Sequence, residues 1–112
     1  MSSRLRSSLS LMRTIVVRYE TKPDRADENV GLVEAVFAQL NELDPGGFGY
    51  ATFRLEDGNT FLHVVRETSE GAISLNELPA FRAFTEKVGD RCVVPPDAKA
   101  ATVVGSYNFF TD

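Results

Sequence analysis

The sequence is poor in the residues on which many small proteins depend. It has one cysteine, Cys92, among 112 residues, so an intrachain disulfide is impossible and no partner for a metal site lies nearby in sequence. We expect Cys92 to be a small buried apolar residue in a reducing compartment. A reactive thiol is the alternative, supported only by the adjacent Arg91, whose charge would lower the pKa of the thiol.

Long apolar runs and positive charge are scarce as well. No apolar run approaches the ~20 residues of a membrane span, and no long apolar segment typical of a secretion signal is present. The 12 basic and 16 acidic residues give a net charge of -4, and the basic residues are scattered. Nucleic acids are bound by clustered Lys and Arg side chains. We therefore expect neither nucleic acid nor membrane as a partner, and a cytoplasmic protein.

Short motifs for catalysis or ligand binding are missing too. The sequence has no Ser-His-Asp set, no zinc-ligand spacing and no calcium loop. The glycines at 46, 47 and 49 are not followed by Lys-Ser or Lys-Thr, which a phosphate loop requires. We expect no metal and no cofactor.

The length predicts one domain. The first 11 residues are rich in Ser and Arg and lack acids, a composition similar to that of an organellar transit peptide. We interpret residues 1–11 as a mobile tail and residues 12–112 as the single domain.

Apolar patterns predict six elements of secondary structure. Apolar residues three and four apart predict one helix that includes Val30 to Leu43, with Asp24 as its cap, and a second that includes Leu75 to Val88, with Asn76 as its cap. Runs rich in β-branched and aromatic residues predict strands at 13–20, 48–56, 60–67 and 100–110.

Two connections are predicted in more detail. Asp57-Gly58 favours a type I′ hairpin turn between the second and third strands, because glycine tolerates the positive φ that this turn requires. The segment from Val93 to Asp97, with its two prolines, is interpreted as a rigid connection before the last strand.

The order of these elements predicts an α+β fold. Strand, helix, strand, strand, helix, strand is the ferredoxin-like βαββαβ arrangement. Right-handed crossovers place both helices on one face of a four-stranded antiparallel sheet.

Residues Gly46 to Phe53 nearly spell the RNP1 signature of RNA-binding sheets, with Gly46 in place of the leading basic residue. RNP1 lies on the third strand of the RNA-recognition fold, where its aromatic residues stack on bases. Here the motif follows the first helix directly and therefore lies on the second strand, at the edge of the sheet. The position of the motif argues against RNA binding.

Both faces of the predicted sheet carry apolar residues. The second strand has Phe48 and Tyr50 on one face, and Ala51 and Phe53 on the other. A sheet with helices on one face only should be polar on the other, and large apolar patches are rarely left exposed to water. A second copy of the sheet would cover this face, which predicts a homodimer, a dimeric α+β barrel.

Three segments carry a resemblance to a known family: the opening 12–19, the strand 60–65, and the helix entry 78–84. The chain resembles the dimeric α+β barrel superfamily and, within it, the antibiotic-biosynthesis-monooxygenase-like (ABM-like) group, from Met12 to about Phe109. The resemblance implies a homodimer with a pocket between sheet and helices in each subunit. Some members of the family oxidise polyketide quinol precursors without a cofactor, others bind and degrade haem, and many have no assigned reaction. The resemblance therefore implies a fold rather than one activity.

The sequence departs from the active members at identifiable positions. Cofactor-free members use Asn, Trp, Tyr and Arg in the pocket, whereas this chain has no Trp. Haem-degrading members use a Trp near the second helix and a histidine on that helix as the iron ligand. The position of that histidine aligns near Thr85 here.

His63, the single histidine of the chain, is the candidate catalytic residue, because an imidazole can act as an acid or a base near neutral pH. The alternative is a structural histidine in the core or in a dimer interface. The candidate substrate-binding residues are Arg18, Tyr50, Phe81, Arg82 and Tyr107.

Alternation along a strand determines which residues share a face, but not which face meets the helices. Tyr19 and Tyr107 are therefore equivalent to Arg18 and Tyr50 as pocket candidates. Each candidate also has a structural interpretation: the tyrosines as packing residues with satisfied hydroxyls, Phe81 as core, and Arg82 as solvated surface.

Three functions remain open at this point. The first is a cofactor-independent monooxygenase acting on a small apolar aromatic substrate, with a closed apolar pocket of about 300 Å³ or more. The second is a non-catalytic homodimeric α+β barrel that binds a ligand or has a structural role. The third is a haem-binding or haem-degrading relative.

Overall fold

A computed structural model of the protein describes residues 13–68 and 75–109. The predicted tail at residues 1–11 and the end of the predicted fourth strand, residue 110, lie outside these ranges. The elements, in chain order, are β1 (Thr14–Thr21), α1 (Ala26–Leu43), β2 (Phe48–Arg54), β3 (Thr60–Glu67), α2 (Pro79–Glu86), α3 (Val88–Arg91) and β4 (Cys92–Ala101), with short 3₁₀ turns at Pro23–Arg25 and Leu75–Glu77.

The four strands form one antiparallel sheet in the order β2-β3-β1-β4. In the centre of the sheet, Val17 of β1 is opposite His63 of β3, which is opposite Thr52 of β2. The predicted α+β, ferredoxin-like βαββαβ arrangement is confirmed, with a short additional helix, α3, before the last strand. As predicted, β2 is an edge strand.

Helix α1 lies on the sheet through residues three and four apart. Its buried residues are Ala26, Asn29, Val33 and Val36, the spacing expected of one helical face. Asp24 lies in the 3₁₀ turn that precedes the helix rather than at the N-cap, which is Arg25. The predicted cap was therefore wrong, because the chain enters α1 through an extra turn beginning at Pro23.

The end of α1 is set by backbone conformation. Asp44 adopts a left-handed conformation with φ of 46°, and its N–H donates to the carbonyl of Leu40 at 2.7 Å. Gly46 and Gly47 follow with φ of 72° and 87°. Residues in this region cannot continue a right-handed helix, so the chain turns directly into β2.

The hairpin between β2 and β3 occurs where it was predicted, but its turn is not type I′. Only Gly58, with φ of 83°, has a positive φ in this turn, whereas type I′ requires two such residues. Gly58 N–H donates to the carbonyl of Leu55 at 2.9 Å. The Asp57 carboxylate accepts from the N–H groups of Asn59 and Thr60, both at 2.9 Å. This side-chain interaction stabilises Asp57 at negative φ.

The last strand begins and ends earlier than predicted, and residues 102–109, which were predicted to be strand, lie outside it. Val94 and Asp97 pair with Glu20 and Arg18 of β1, so the segment interpreted as a rigid connection is part of β4, which ends at Ala101. The two prolines between these pairs coincide with a shift in register. Proline lacks an N–H but is tolerated at bulges and in edge strands. Both conditions hold for β4, so the prolines do not prevent pairing.

The second helix is divided. Leu78, in an extended conformation, is the N-cap of α2. Asn76, which was predicted to be the cap, lies in the preceding 3₁₀ turn. Pro79 occupies the first turn, where its missing N–H is harmless. The helix stops at Glu86, and α3 supplies one further turn that ends at Arg91.

The core lies between the helices and one face of the sheet. Its buried cluster contains Tyr19 and Phe61 from the strands, Val33 and Val36 from α1, and Phe84 from α2. The Tyr19 and Phe61 rings stack with centroids 5.4 Å apart. None of the helices in the described ranges is long and apolar enough to cross a membrane.

Two glycines provide a matched test of the backbone. We expect Gly58→Ala to lower the free energy of unfolding by about 1–2 kcal/mol, because a Cβ is strained at φ of 83°. Gly31→Ala, in the interior of α1, should raise the free energy of unfolding by about 0.5–1 kcal/mol. No atom lies within 4 Å of the added Cβ, and alanine favours the helical conformation. Urea denaturation of both variants measures this, and a loss of stability at Gly31 would contradict the structure.

Candidate functional site

The sheet register gathers polar side chains in the middle of the helix-facing side. His63 lies on β3 between Val17 of β1 and Thr52 of β2, and only 4% of its surface is exposed. Tyr19 is two residues from Val17 and therefore lies on the same face. Tyr50 is likewise two residues from Thr52. The strands thus bring three hydroxyl groups around a single imidazole.

Both ring nitrogens of His63 are hydrogen-bonded. The Tyr19 hydroxyl lies 2.7 Å from Nε2, and the Tyr50 hydroxyl lies 2.7 Å from Nδ1. The Thr52 hydroxyl lies 3.1 Å from the same Nδ1. Because a histidine ring has two nitrogens only, no nitrogen is left for a ligand without displacing one of these hydroxyls.

The hydrogen bonds continue beyond Tyr19 to the helices. Asn29 of α1 donates from Nδ2 to the Tyr19 hydroxyl at 2.8 Å, and Arg91 donates from Nε to Asn29 Oδ1 at 3.0 Å. Arg91 also donates from Nη2 to the carbonyl of Phe84 at 2.8 Å. These interactions form a buried polar network, which consists of Thr52, Tyr50, His63, Tyr19, Asn29 and Arg91.

Arg91 is an unusual member of this network. Only 1% of its surface is exposed, and within the described residues no carboxylate forms an ion pair with it. Its guanidinium lies over the Phe84 ring, 5.3 Å from the centroid. Burial lowers the pKa of Arg91 from its ordinary value, but an arginine stays charged in proteins. The network therefore contains one permanent positive charge.

Burial makes the other titratable members hard to charge. It lowers the pKa of His63 to about 4 and raises the pKa of Tyr50 to about 12. It also raises the pKa of Tyr19, against a smaller opposing effect of the Asn29 hydrogen bond. At neutral pH the imidazole and both phenols are therefore uncharged, and they act as hydrogen-bonding groups.

A cleft of about 190 Å³ opens beside this network, between the end of α1 and the start of β2. Tyr50 belongs both to the cleft and to the network, and its ring stacks on Phe37 with centroids 4.8 Å apart. The cleft is smaller than the pocket of about 300 Å³ expected for a drug-sized ligand. An apolar cavity of about 150 Å³ is large enough for benzene. The cleft is lined by Phe37, Leu40, Asn41, Asp44, Pro45, Gly46, Phe48 and Tyr50.

The structure brings some of the predicted site residues together. His63 and Tyr50 are in direct contact, and the Phe81 ring lies 6.4 Å from that of Tyr50. Tyr19, which was an equivalent candidate because alternation left the choice of strand face open, is also hydrogen-bonded to His63.

The other candidates lie elsewhere. Arg18 is exposed and alternates with the helix-facing Val17 and Tyr19, so it lies on the opposite face of the sheet. Arg82 is exposed and donates to the carbonyl of Asn76. Tyr107 is 87% exposed, beyond the end of β4. None of these three is among the hydrogen-bond partners of His63, which are Tyr19, Tyr50 and Thr52.

The sequence interpretation missed Asn29, Thr52 and Arg91. Asn29 carried a signal, since it is three and four residues from the apolar positions at 26 and 33 and therefore lies on the buried face of α1. Arg91 was considered only as a neighbour of Cys92. Nothing in its local sequence predicts that its side chain reaches α1.

Cys92 is half-buried beside this network. Burial raises the pKa of its thiol, and this outweighs the opposite effect of the Arg91 charge. The thiolate is therefore disfavoured, contrary to what a reactive cysteine requires. In the described part of the chain no group of three or more His, Cys, Asp or Glu residues could hold a metal ion.

No protein-family model matches the chain, and no curated protein does either. Solved structures do share its fold. A structure of Rv0793 from Mycobacterium tuberculosis has a TM-score of 0.69 at 16% identity, covering 85% of this chain and 97% of the other.

Two further matches have similar values. A "putative antibiotic biosynthesis monooxygenase" from Bacteroides thetaiotaomicron has a TM-score of 0.70 at 17% identity, over 83% of this chain and 90% of that one. Another of the same name, from Nitrosomonas europaea, has a TM-score of 0.68 at 14% identity, and the match covers 83% of this chain and 90% of that one. The protein therefore has the α+β fold of these ABM-like structures, and the predicted resemblance is confirmed at the level of the fold.

The buried imidazole predicts a specific pH dependence. Its pKa is about 4 in the folded protein and about 6.5 in an unfolded chain. Between these values only the unfolded chain binds the proton, so acid favours unfolding. Stability from this group is complete above about pH 6.5 and falls by on the order of 3 kcal/mol as the pH approaches 4.

The matched control is His63→Gln, which keeps polar atoms at this position but does not titrate. Carboxylates also titrate in acid; one is Asp57, the pKa of which is lowered by hydrogen bonds. Their contribution to the pH dependence of stability is the same in both proteins. The wild-type advantage in free energy of unfolding should therefore shrink between pH 7 and pH 4.5 in denaturant titrations. A constant difference would show that His63 titrates normally.

Proposed function

We propose that the protein is a homodimeric α+β barrel that binds a small apolar aromatic molecule in the cleft at Tyr50. The observation that supports this most is the double role of Tyr50. Tyr50 lines the cleft, while its hydroxyl is held on His63. Binding sites place a few polar groups against apolar surface. This cleft is more polar than most, but it offers the side chains of Phe37, Phe48 and Tyr50 to an aromatic ring.

The cleft is lined by both polar and apolar side chains. Asn41 and Asp44 lie near the C-terminus of α1, and Phe37, Leu40 and Phe48 supply apolar surface. A volume of about 190 Å³ suits a molecule of one or two rings better than a larger one. We expect an aromatic ligand of that size, bound with its rings against Phe37 and Tyr50.

A monooxygenase reaction on such a ligand is the second candidate. Its support is the fold shared with proteins named antibiotic biosynthesis monooxygenases. In a reaction of this type on a naphthol, one oxygen atom of O₂ enters the substrate and the other leaves as water. The two electrons and two hydrogens that convert this second oxygen atom to water come from the same substrate, which becomes a quinone. His63 would be a weak base for it, because burial lowers its pKa to about 4.

The residues present do not fit the third candidate, a haem protein. Thr85, which aligns near the iron ligand of haem-degrading relatives, has a hydroxyl that hydrogen-bonds the carbonyl of Arg82. The single imidazole, His63, has both nitrogens engaged. We therefore propose no haem chemistry.

The outer face of the sheet supports the homodimer. It carries half-buried apolar side chains in the centre of three strands: Val16, Ala51, Phe53, Leu62 and Val64. Beyond β4, Val104 is 98% exposed and Phe109 is 60% exposed. Phe109 also stacks on Phe53, at 6.4 Å. Apolar surface of this extent favours association, and a second copy offers a matching apolar face.

The dimer can be tested with a charge in the centre of this face. Val64 is opposite both Val16 and Ala51, so Val64→Glu would place a carboxylate inside the interface and should convert dimer to monomer. Thr85→Glu, at an exposed position on α2, is the control and should remain dimeric. Sedimentation velocity at micromolar concentration measures both, and a monomeric wild type would refute the dimer.

Ligand binding can be tested with 1-naphthol in equilibrium dialysis. We expect saturable binding to the wild type, and a loss on the order of tenfold in Asn41→Trp, because the indole would fill the cleft. Glu34→Trp, on the exposed side of α1, is the control and should bind like the wild type. Equal binding by both variants would place the ligand elsewhere. Oxygen uptake with 1-naphthol then separates a monooxygenase from a binding protein.

A further inference from the structure

We propose that Arg91 is a positioning residue: through Asn29 and Tyr19 it holds the proton of the His63 ring on Nδ1, so that Tyr50 offers its own proton to an acceptor in the cleft. The last step rests on the proposed function, whereas the preceding steps concern the buried polar network alone. Each step follows from which atoms can donate and which can accept.

The first step is the orientation of the Asn29 amide. Arg91 has donors only, so the atom of Asn29 that faces its Nε, at 3.0 Å, must be the oxygen. The amide nitrogen consequently faces the Tyr19 hydroxyl at 2.8 Å and donates to it. Without Arg91, the oxygen and nitrogen of the amide could exchange places.

The second step concerns the proton of Tyr19. Its hydroxyl oxygen already accepts from Asn29, and Tyr19 is 1% exposed, so its proton needs an acceptor inside the protein. Among the described residues that acceptor is His63 Nε2, at 2.7 Å. If Nε2 carried a proton instead, Tyr19 would accept twice and its own buried proton would have no acceptor, an arrangement that is disfavoured.

The third step leads to Tyr50. Since Nε2 accepts, the ring proton is on Nδ1, which donates to the Tyr50 hydroxyl at 2.7 Å, with Thr52 at 3.1 Å. Tyr50 then does not donate to His63. Its proton is then left for the neighbouring Thr52 oxygen or, when a ligand in the cleft reaches the Tyr50 hydroxyl, for an acceptor on that ligand. The favoured ligand is therefore an aromatic molecule with a carbonyl or phenolic oxygen.

The charge of Arg91 favours the same tautomer of His63, with the proton on Nδ1. The guanidinium is buried and, within the described residues, has only Asn29 and the Phe84 carbonyl as hydrogen-bond acceptors. The charge of Glu28 favours the cation without forming an ion pair with it, and dipoles whose negative ends face the guanidinium stabilise it further. An ordered series of donors from Arg91 to Tyr50 provides such dipoles, and the reversed series would oppose the charge.

The chain has one histidine, so the tautomer can be read directly by ¹⁵N NMR of labelled imidazole. In the wild type we expect a protonated Nδ1 and an unprotonated Nε2. Asn29→Asp should reverse them. Its carboxylate still accepts from Arg91 but accepts from Tyr19 as well, so Tyr19 must accept from Nε2 and Tyr50 must donate to Nδ1. Arg91→Lys, which preserves a donor to Asn29, should retain the wild-type tautomer.

Arg91→Met, which removes the donor to Asn29, should give a mixture of both tautomers, whereas a mere packing role of Arg91 would leave the tautomer unchanged. A wild type protonated on Nε2, or an Asn29→Asp variant that keeps the wild-type tautomer, overturns the proposal. If Arg91→Lys does not fold, the comparison of the wild type with Asn29→Asp still decides, because that variant keeps Arg91 and gives it a carboxylate oxygen in place of the amide oxygen.

The step to the ligand has its own measurement. We compare the binding of 1-tetralone, whose carbonyl accepts, with that of tetralin, which lacks the oxygen, by equilibrium dialysis. The wild-type preference for the ketone should fall about fivefold in Asn29→Asp, the effect of one neutral hydrogen bond. Binding of neither compound would refute the proposed function and leave the tautomer result standing. An unchanged preference would overturn only the step from Tyr50 to the ligand.

Discussion

The hydrogen bonding of one buried imidazole links most elements of this protein. His63 of β3 is bonded at one nitrogen to Tyr19 of β1 and at the other to Tyr50 and Thr52 of β2. Tyr19 in turn is bonded to α1 through Asn29, and Asn29 to the residue before β4, Arg91. A polar group inside an apolar core is tolerated only when its hydrogen bonds are satisfied. The three-dimensional arrangement of these elements meets that condition.

The same requirement shapes the surroundings of the imidazole. Phe84 is packed against the rings of both Tyr19 and His63, and its carbonyl accepts from Arg91. The aromatic residues exclude water, which strengthens hydrogen bonds within the network and makes ionisation of His63 unfavourable. A stable core and a directed set of hydrogen bonds are therefore two consequences of one packing arrangement. Tyr50 is the point at which that arrangement meets the cleft.

Local sequence patterns predicted the elements well where a single local cause dominates. Alternation gave the bounds of β3 without error, and turn residues gave the end of α1 and the place of the hairpin. The interpretation failed at β4, where two prolines argued against a strand. Whether a proline is tolerated depends on the position of the strand in the sheet and on a bulge, and both are properties of pairing with β1. The turn type likewise depended on a side-chain interaction of Asp57 rather than on its preference for φ.

The sequence by itself determined the order of the elements, the α+β class and the candidacy of His63 and Tyr50, because periodicity and turn chemistry act over a few residues. Only the tertiary structure decided that these residues share the helix-facing side and that Arg18 does not, since alternation leaves the choice of face open. It also brought Arg91 to Asn29, 62 residues apart in sequence, and Tyr19 to His63, 44 residues apart. Contacts between such distant residues arise when strands pair and helices pack, and no local pattern encodes them.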